Sequence, residues 1–271
     1  MAISAQEDLM QALTCDWGTM HLRADGGAEE GTTLVFINSL GTDLRMWDEV
    51  VARLPEGWSS LRMDKRGHGL SETAPEGYGI PDLAGDVLAA MDHAGIGRAV
   101  IVGCSIGGLI AQHVALMAPE RVAGLVLSNT APMLGAAEGW HARIDGVRAN
   151  GMAAMAEGIL PRWFGPRMLA RPEAALWRTL LARTDREGYI ATCAAIAGTD
   201  ITDRLGEIAR PALVIGGKHD LATPPDVVEK LARALPRADL VMFGDTGHLP
   251  AIEAPADFTA ALVTFVERIN S

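Results

Sequence analysis

The stretch VGCSIGG, Val102 to Gly108, decides how the rest of the chain is read. An apolar run, AVIVGC (99–104), stops at a serine, and glycines stand around that serine at 103, 107 and 108. Gly103-Cys104-Ser105-Ile106-Gly107 matches G-x-S-x-G, and behind it Ile106, Ile110, Val114 and Met117 follow helical spacing. A buried strand that turns directly into a helix forces the serine between them into a strained backbone conformation. It also leaves no room for a bulky side chain two positions to either side. The pattern therefore predicts that Ser105 Oγ stands at the top of a sheet as a nucleophile.

A serine hydroxyl is a weak nucleophile without a base to take its proton, and the base needs a carboxylate to hold its tautomer. Working outward, PALVIGG (211–217) is followed by Asp220 and ADLVMF (238–243) by His248. The chain order Ser105, Asp220, His248 is the one expected for a hydrolase built on a G-x-S-x-G turn. Two backbone N–H groups should receive the oxyanion: that of Ile106, directly after the nucleophile, and that of Leu40 in NSLGTD (38–43), after the run TLVFIN (33–38).

These runs, with WSSLRMD (58–64) and VAGLVLSN (122–129), are short and largely apolar, as strands buried on both faces should be. Segments of helical period lie between them, such as Leu83, Val87, Leu88 and Met91, so the chain reads as an α/β protein with a mostly parallel sheet and helices on both faces. CDWGTMHLRA (15–24) alternates loosely and suits an antiparallel strand or hairpin at the sheet edge. Residues 133–205 carry no convincing strand but several helical patterns, including Trp140, Ile144, Val147 and Met155. They read as a helical lid inserted into a core of 1–132 and 206–271, placed over the strand ends where ligands bind.

Composition narrows the function. At 271 residues with 49% hydrophobic content the chain can build a large core. A formal charge of -11 argues against nucleic acid, whose phosphates need clustered Lys and Arg. Three cysteines, Cys15, Cys104 and Cys193, lie far apart with no CxxC pair, so neither a disulfide framework nor a zinc site is suggested. Glycine patterns near 77–85 and 95–103 do not complete a nucleotide fingerprint, and no cofactor or metal is expected. MAISAQEDLMQAL (1–13) lacks a basic region followed by an apolar one, which points to a cytoplasmic protein.

Other residues invite lesser roles. His68 and Arg66 in DKRGHGLSE (64–72) read as ordering their loop, while His113 and His219 read as packed or solvated. Met117, Met152 and Met155 suit core filling, and Trp140, Trp163 and Trp177 could line a pocket or pack the lid helices.

The turn, the order of the three polar residues and the segments NSLGTDLRMW (38–47) and SNTAPMLGAAEGWHARIDGVRANGMAAMAEGILPRWF (128–164) make this chain similar to α/β-hydrolases, and among them to 3-oxoadipate enol-lactonases. That resemblance implies attack of Ser105 on the carbonyl of 3-oxoadipate enol-lactone, with His248 as base and Leu40 and Ile106 holding the oxyanion, to give 3-oxoadipate in bacterial aromatic catabolism. The residues leave open whether an acyl-enzyme forms or water attacks directly. A carboxylate-bearing substrate meeting a net-negative protein needs a local cation. Arg143, Arg162 and Lys65 are candidates, with Trp140 beside them, whereas Met133 stands where the resemblance implies a basic residue. Two other readings remain: a carboxylesterase or carbon-carbon bond hydrolase of a ring-cleavage product, and a hydrolase-fold ligand receptor with incidental turnover.

Overall fold

The computed structural model describes residues 10–26 and 31–271. Residues 1–9, most of the segment read above for an export signal, lie outside that range. The strands are β1 (Gln11–Cys15), β2 (Gly18–Asp25), β3 (Thr33–Ile37), β4 (Ser59–Met63), β5 (Ala99–Cys104), β6 (Val122–Ser128), β7 (Ala212–Gly217) and β8 (Ala238–Phe243). They form one sheet in the order β1-β2-β4-β3-β5-β6-β7-β8. The β1–β2 and β2–β4 pairs are antiparallel and every other pair is parallel. The edge segment is thus a hairpin, with Cys15 opposite Gly18 across a two-residue turn.

The helices are α1 (Asp48–Val51), α2 (Ile80–His93), α3 (Ile106–Met117), α4 (Ala137–Trp163), α5 (Pro166–Leu169), α6 (Ala174–Ala182), α7 (Arg186–Ala197), α8 (Pro225–Ala234), α9 (Pro250–Glu253) and α10 (Pro255–Asn270). α4 to α7 all fall between β6 and β7, so the helical insertion occupies a single crossover. The inner strands β3 to β7 are buried almost throughout, as expected of short, largely apolar runs, although β4 also buries Ser59, Ser60 and Arg62. β8 departs from the expectation of burial on both faces. It is the terminal strand, paired among the described residues only with β7, and its residues are half-buried, with Asp239 and Leu240 exposed. Met117 is likewise no core residue: it ends α3 on the solvent side and is 50% exposed, whereas Met152 is buried and Met155 packs against the core.

α4 holds a break that periodicity does not announce. Gly151 sits at φ 74, so the 27-residue element is two helices joined at a kink, and Ile144 and Val147 precede it while Met155 follows it. Among the described residues, no helix is long and apolar enough to cross a membrane.

The strand order sets the site. β3 is flanked by β4 on one side and β5 on the other, so the connections leaving β3 and β5 diverge and open a crevice at their carboxyl ends. Ile37 lies opposite Gly103 in that pair, which brings the turn after β3 alongside Ser105.

Candidate active site

Ser105 is the residue between β5 and α3, at φ 58 and ψ -121, a conformation a side chain adopts only under constraint. The constraint is backbone against backbone. A Cβ on Gly103 would fall on the carbonyl of Gly107, and one on Gly107 would fall on the carbonyl of Ile37 at the end of β3. The glycines therefore let the elbow sit directly against its neighbouring strand, with the Ser105 N–H bonded to Ser128 O at 2.9 Å and the Thr130 hydroxyl bonded to Ser105 O at 2.6 Å.

Asp220 follows β7 and His248 follows β8, and the two meet: His248 Nδ1 lies 2.8 Å from Asp220 Oδ2, with both side chains buried. That contact makes Nδ1–H the donor and leaves Nε2 as the free base. The carboxylate is heavily solvated by protein. Asp220 Oδ1 accepts from the N–H groups of Ala222 and Thr223 at 2.7 and 2.9 Å, and Oδ2 also accepts from the Thr223 hydroxyl at 2.6 Å and from Asn129 Nδ2 at 2.8 Å. Burial pushes the Asp220 carboxyl up, but the His248 charge and these hydrogen bonds outweigh it and hold the group below its ordinary value.

Asn129 escaped the sequence reading. It follows β6 at φ 49, and its Nδ2 bonds Gly247 O at 3.1 Å as well as Asp220, so it ties the acid to the loop carrying His248. The signal was available, since Asn tolerates the left-handed region and follows an apolar run beside the elbow. Glu253, on α9, was missed too. Its Oε2 accepts from Gly165 N at 2.8 Å and its Oε1 from Gly247 N at 2.7 Å, while His248 N donates to Trp163 O at 2.8 Å. The end of α4 and the His248 loop are thus fastened together. Burial pushes the Glu253 carboxyl up to about 7 despite the backbone N–H groups that favour its charge.

Ser105 and His248 line one cavity of about 250 Å³, together with Ser39, Leu40, Leu134, Trp140, Arg143, Arg162, Trp163 and Tyr189 among others. Within the described residues the Ser105 hydroxyl makes no hydrogen bond, and it opens onto this cavity. Such a contact often closes only when substrate binds. The N–H groups of Leu40, which lines the cavity, and of Ile106, next to Ser105, have no hydrogen-bond partner among the described residues.

The remaining candidates divide sharply. Arg143 stacks over the Trp140 ring at 4.8 Å and, like Arg162, lines the cavity. Among the described residues neither arginine forms an ion pair, and none of the cavity's lining residues is acidic. Lys65, the third proposed cation, is excluded as a substrate contact: it is buried behind the turn, with Nζ on the carbonyls of Asn38 and Ser39 at 3.0 and 2.9 Å. Met133 is exposed and does not line the cavity, so its lack of charge leaves the pocket unaffected.

His68 is buried with Nδ1 on Arg66 O at 3.0 Å, and Arg66 pairs with Asp86 between Trp17 and Tyr78, so both order their loop. His113 Nδ1 bonds Leu109 O within α3, and His219 is exposed. Trp163 lines the cavity; Trp177 lines a separate surface groove.

A family model for the alpha/beta hydrolase fold matches residues 32–255. A 3-oxoadipate enol-lactonase of Acinetobacter baylyi is 33% identical over 246 residues, 90% of this chain and 92% of that one. The crystal structure of the enol-lactonase from Burkholderia xenovorans superposes with a TM-score of 0.91 at 38% identity, covering 95% of this chain and all of the other. A thermophilic esterase from Thermogutta terrifontis, with malate bound, gives 0.89 at 27% identity over 97% of this chain and 100% of its own. Sheet order, nucleophile turn and these matches agree: this chain belongs to the α/β-hydrolase family and is similar within it to 3-oxoadipate enol-lactonases.

Proposed function

We propose that this hydrolase opens the lactone ring of 3-oxoadipate enol-lactone, with Ser105 as nucleophile, His248 as general base and Asp220 as its orienting carboxylate. The observation that carries the reading is the cavity lining: a serine, a histidine and two arginines without an acid among them. Its volume of about 250 Å³ lies below the ~300 Å³ at which drug-sized pockets begin, so it suits a small substrate. Two guanidiniums supply the attraction that a carboxylate needs on a chain of net charge -11.

Chemically, His248 Nε2 takes the Ser105 proton as Oγ attacks the lactone carbonyl, and the Asp220 carboxylate stabilises the imidazolium through Nδ1–H. The negative oxygen forms beside the N–H groups of Leu40 and Ile106. Collapse breaks the ring carbon-oxygen bond. The departing oxygen stays on the same chain as an enol, which takes its proton from His248 and tautomerises to the ketone. Water deprotonated by His248 then cleaves the acyl-serine, so lactone plus one water gives 3-oxoadipate. Arg143 and Arg162 hold the substrate carboxylate, and Trp140 backs Arg143.

The resemblance to a malate-bound esterase supports a second reading, hydrolysis of an acyclic ester bearing a carboxylate by the same residues. The test is loss of enol-lactone absorbance on adding protein to freshly generated 3-oxoadipate enol-lactone. Rapid loss that Ser105→Ala abolishes is expected. Absence of loss from a protein that still cleaves p-nitrophenyl acetate hands the substrate to the ester reading.

A further inference from the structure

Lys65 is a buried lysine, which proteins rarely tolerate without a paired carboxylate. Among the described residues it makes no ion pair. Its neighbours of opposite sign are otherwise engaged: Asp64 accepts from His21 Nδ1, Leu70 N and Leu44 N at 2.7 to 3.0 Å, and Asp43 is paired with Arg45. The Cys104 thiol nearby is held neutral by burial, and the buried imidazole of His68 is pushed down to about 3 by burial and by the Lys65 charge. What Lys65 does hold is backbone, Asn38 O at 3.0 Å and Ser39 O at 2.9 Å.

Ser39 O and Leu40 N belong to one peptide group. The chain has no cis peptide among its described residues, so the Leu40 N–H points opposite to the Ser39 carbonyl. The same carbonyl also accepts from Thr42 Oγ1 at 2.9 Å and Thr42 N at 3.3 Å, while Asn38 Nδ2 holds Thr42 O at 2.5 Å. Ser39 and Leu40 line the cavity; Lys65 lies behind them.

We propose that Lys65 is a positioning residue for hydrolysis: its ammonium fixes and polarises the Ser39–Leu40 peptide from behind, so that the Leu40 N–H is aimed and strengthened as an oxyanion donor. The proposal rests on the reading of Ser105 as nucleophile and Leu40 as donor. A charge-assisted bond to an amide oxygen withdraws electron density from the whole amide, and the N–H at its other end becomes the better donor. The benefit appears when the negative oxygen forms, so it acts on kcat more than on KM. Burial pulls the Lys65 ammonium down to about 7, with Asp64 and Asp43 acting in the other direction, so the charge it contributes is lost as pH rises through that value.

The experiment compares wild type, Lys65→Met and Ser105→Ala on p-nitrophenyl acetate between pH 5.5 and 9.5. Losing a whole oxyanion donor costs about 10²–10³-fold. Loss of its alignment and polarisation is therefore expected to lower kcat about 10- to 100-fold, with KM within about twofold. Wild-type kcat should fall on the alkaline side, and Lys65→Met should show no such fall. If Lys65→Met does not fold, as judged by circular dichroism, Lys65→Gln keeps a neutral donor and carries the same expectation for the pH profile. A wild-type kcat, or an unchanged alkaline fall in the folded variant, overturns the proposal. Ser105→Ala separates the two failures: if it stays active, the nucleophile reading is wrong, whereas if it is dead beside a fully active Lys65→Met, only the role of Lys65 is lost.

Discussion

The β5–α3 elbow and the α4–α7 insertion face the same cavity, yet different physics determines them. At the elbow, position is set by backbone against backbone: Gly107 lies on Ile37 O, Gly103 on Gly107 O, and Ser105 is held at φ 58. In the insertion, α4 kinks at Gly151, where a Cβ would meet nothing within 4 Å, and what it offers the cavity is side chains, Trp140, Arg143 and Arg162. On the proposed function, the rigid element fixes where charge develops, and the helical one selects what enters. Tight backbone packing admits few sequences, whereas a helix that supplies only side chains admits many.

Substitutions can break that division. Ser105→Ala and His248→Ala should each lower ester or lactone turnover by about 10⁶-fold with the fold intact, measured as kcat against circular dichroism. Retained activity in either would remove the elbow from the chemistry. Asp220→Asn comes next, at about 10⁴-fold in kcat, because the amide inverts the donor pattern that sets the His248 tautomer.

Gly107→Ala tests the packing claim directly. Its methyl group would overlap the Ile37 carbonyl, a fault of the class that costs more than about 4 kcal/mol, read as a fall in the denaturant midpoint. Gly151→Ser, by contrast, has space, and only its positive φ opposes it, at about 1–2 kcal/mol.

For the insertion, Arg143→Ala and Arg162→Ala should raise KM for the carboxylate-bearing lactone about 10-fold or more while leaving p-nitrophenyl acetate within about threefold. Equal losses on both substrates would move these arginines from selection to chemistry.

The join between the insertion and the loop carrying His248 holds a buried acid. Glu253 is raised to about 7, above its ordinary value near 4.5, so the fold favours its protonated form. Its contribution to stability is present in full below pH 4.5 and is lost as pH rises through 7. Glu253→Gln should flatten that part of the stability curve, a difference on the order of 1–3 kcal/mol in urea unfolding at pH 5 against pH 8.

The fold was legible because its signals are local. Short, largely apolar runs announced β3 to β7, and the glycine spacing around Ser105 announced the turn from strand to helix. Asp220 and His248 were legible only as positions after strands; the 2.8 Å contact between residues 28 apart is made by neighbouring strand ends. The burial of β8 was misread because an apolar run does not say whether its strand has a neighbour on both sides. Met117 was misread for a related reason, since helical spacing does not show where the last turn runs out of core.

By itself, the sequence determined the α/β alternation, the strained serine and the chain order of the three polar residues, since each depends on backbone sterics or on periodicity within a few residues. Only the tertiary structure decided that Arg143 and Arg162 enter the cavity while Lys65 turns away behind Ser39, and that Asn129 joins Asp220 to Gly247. Where a long side chain ends depends on contacts between segments far apart in the chain, and no local pattern of residues encodes them.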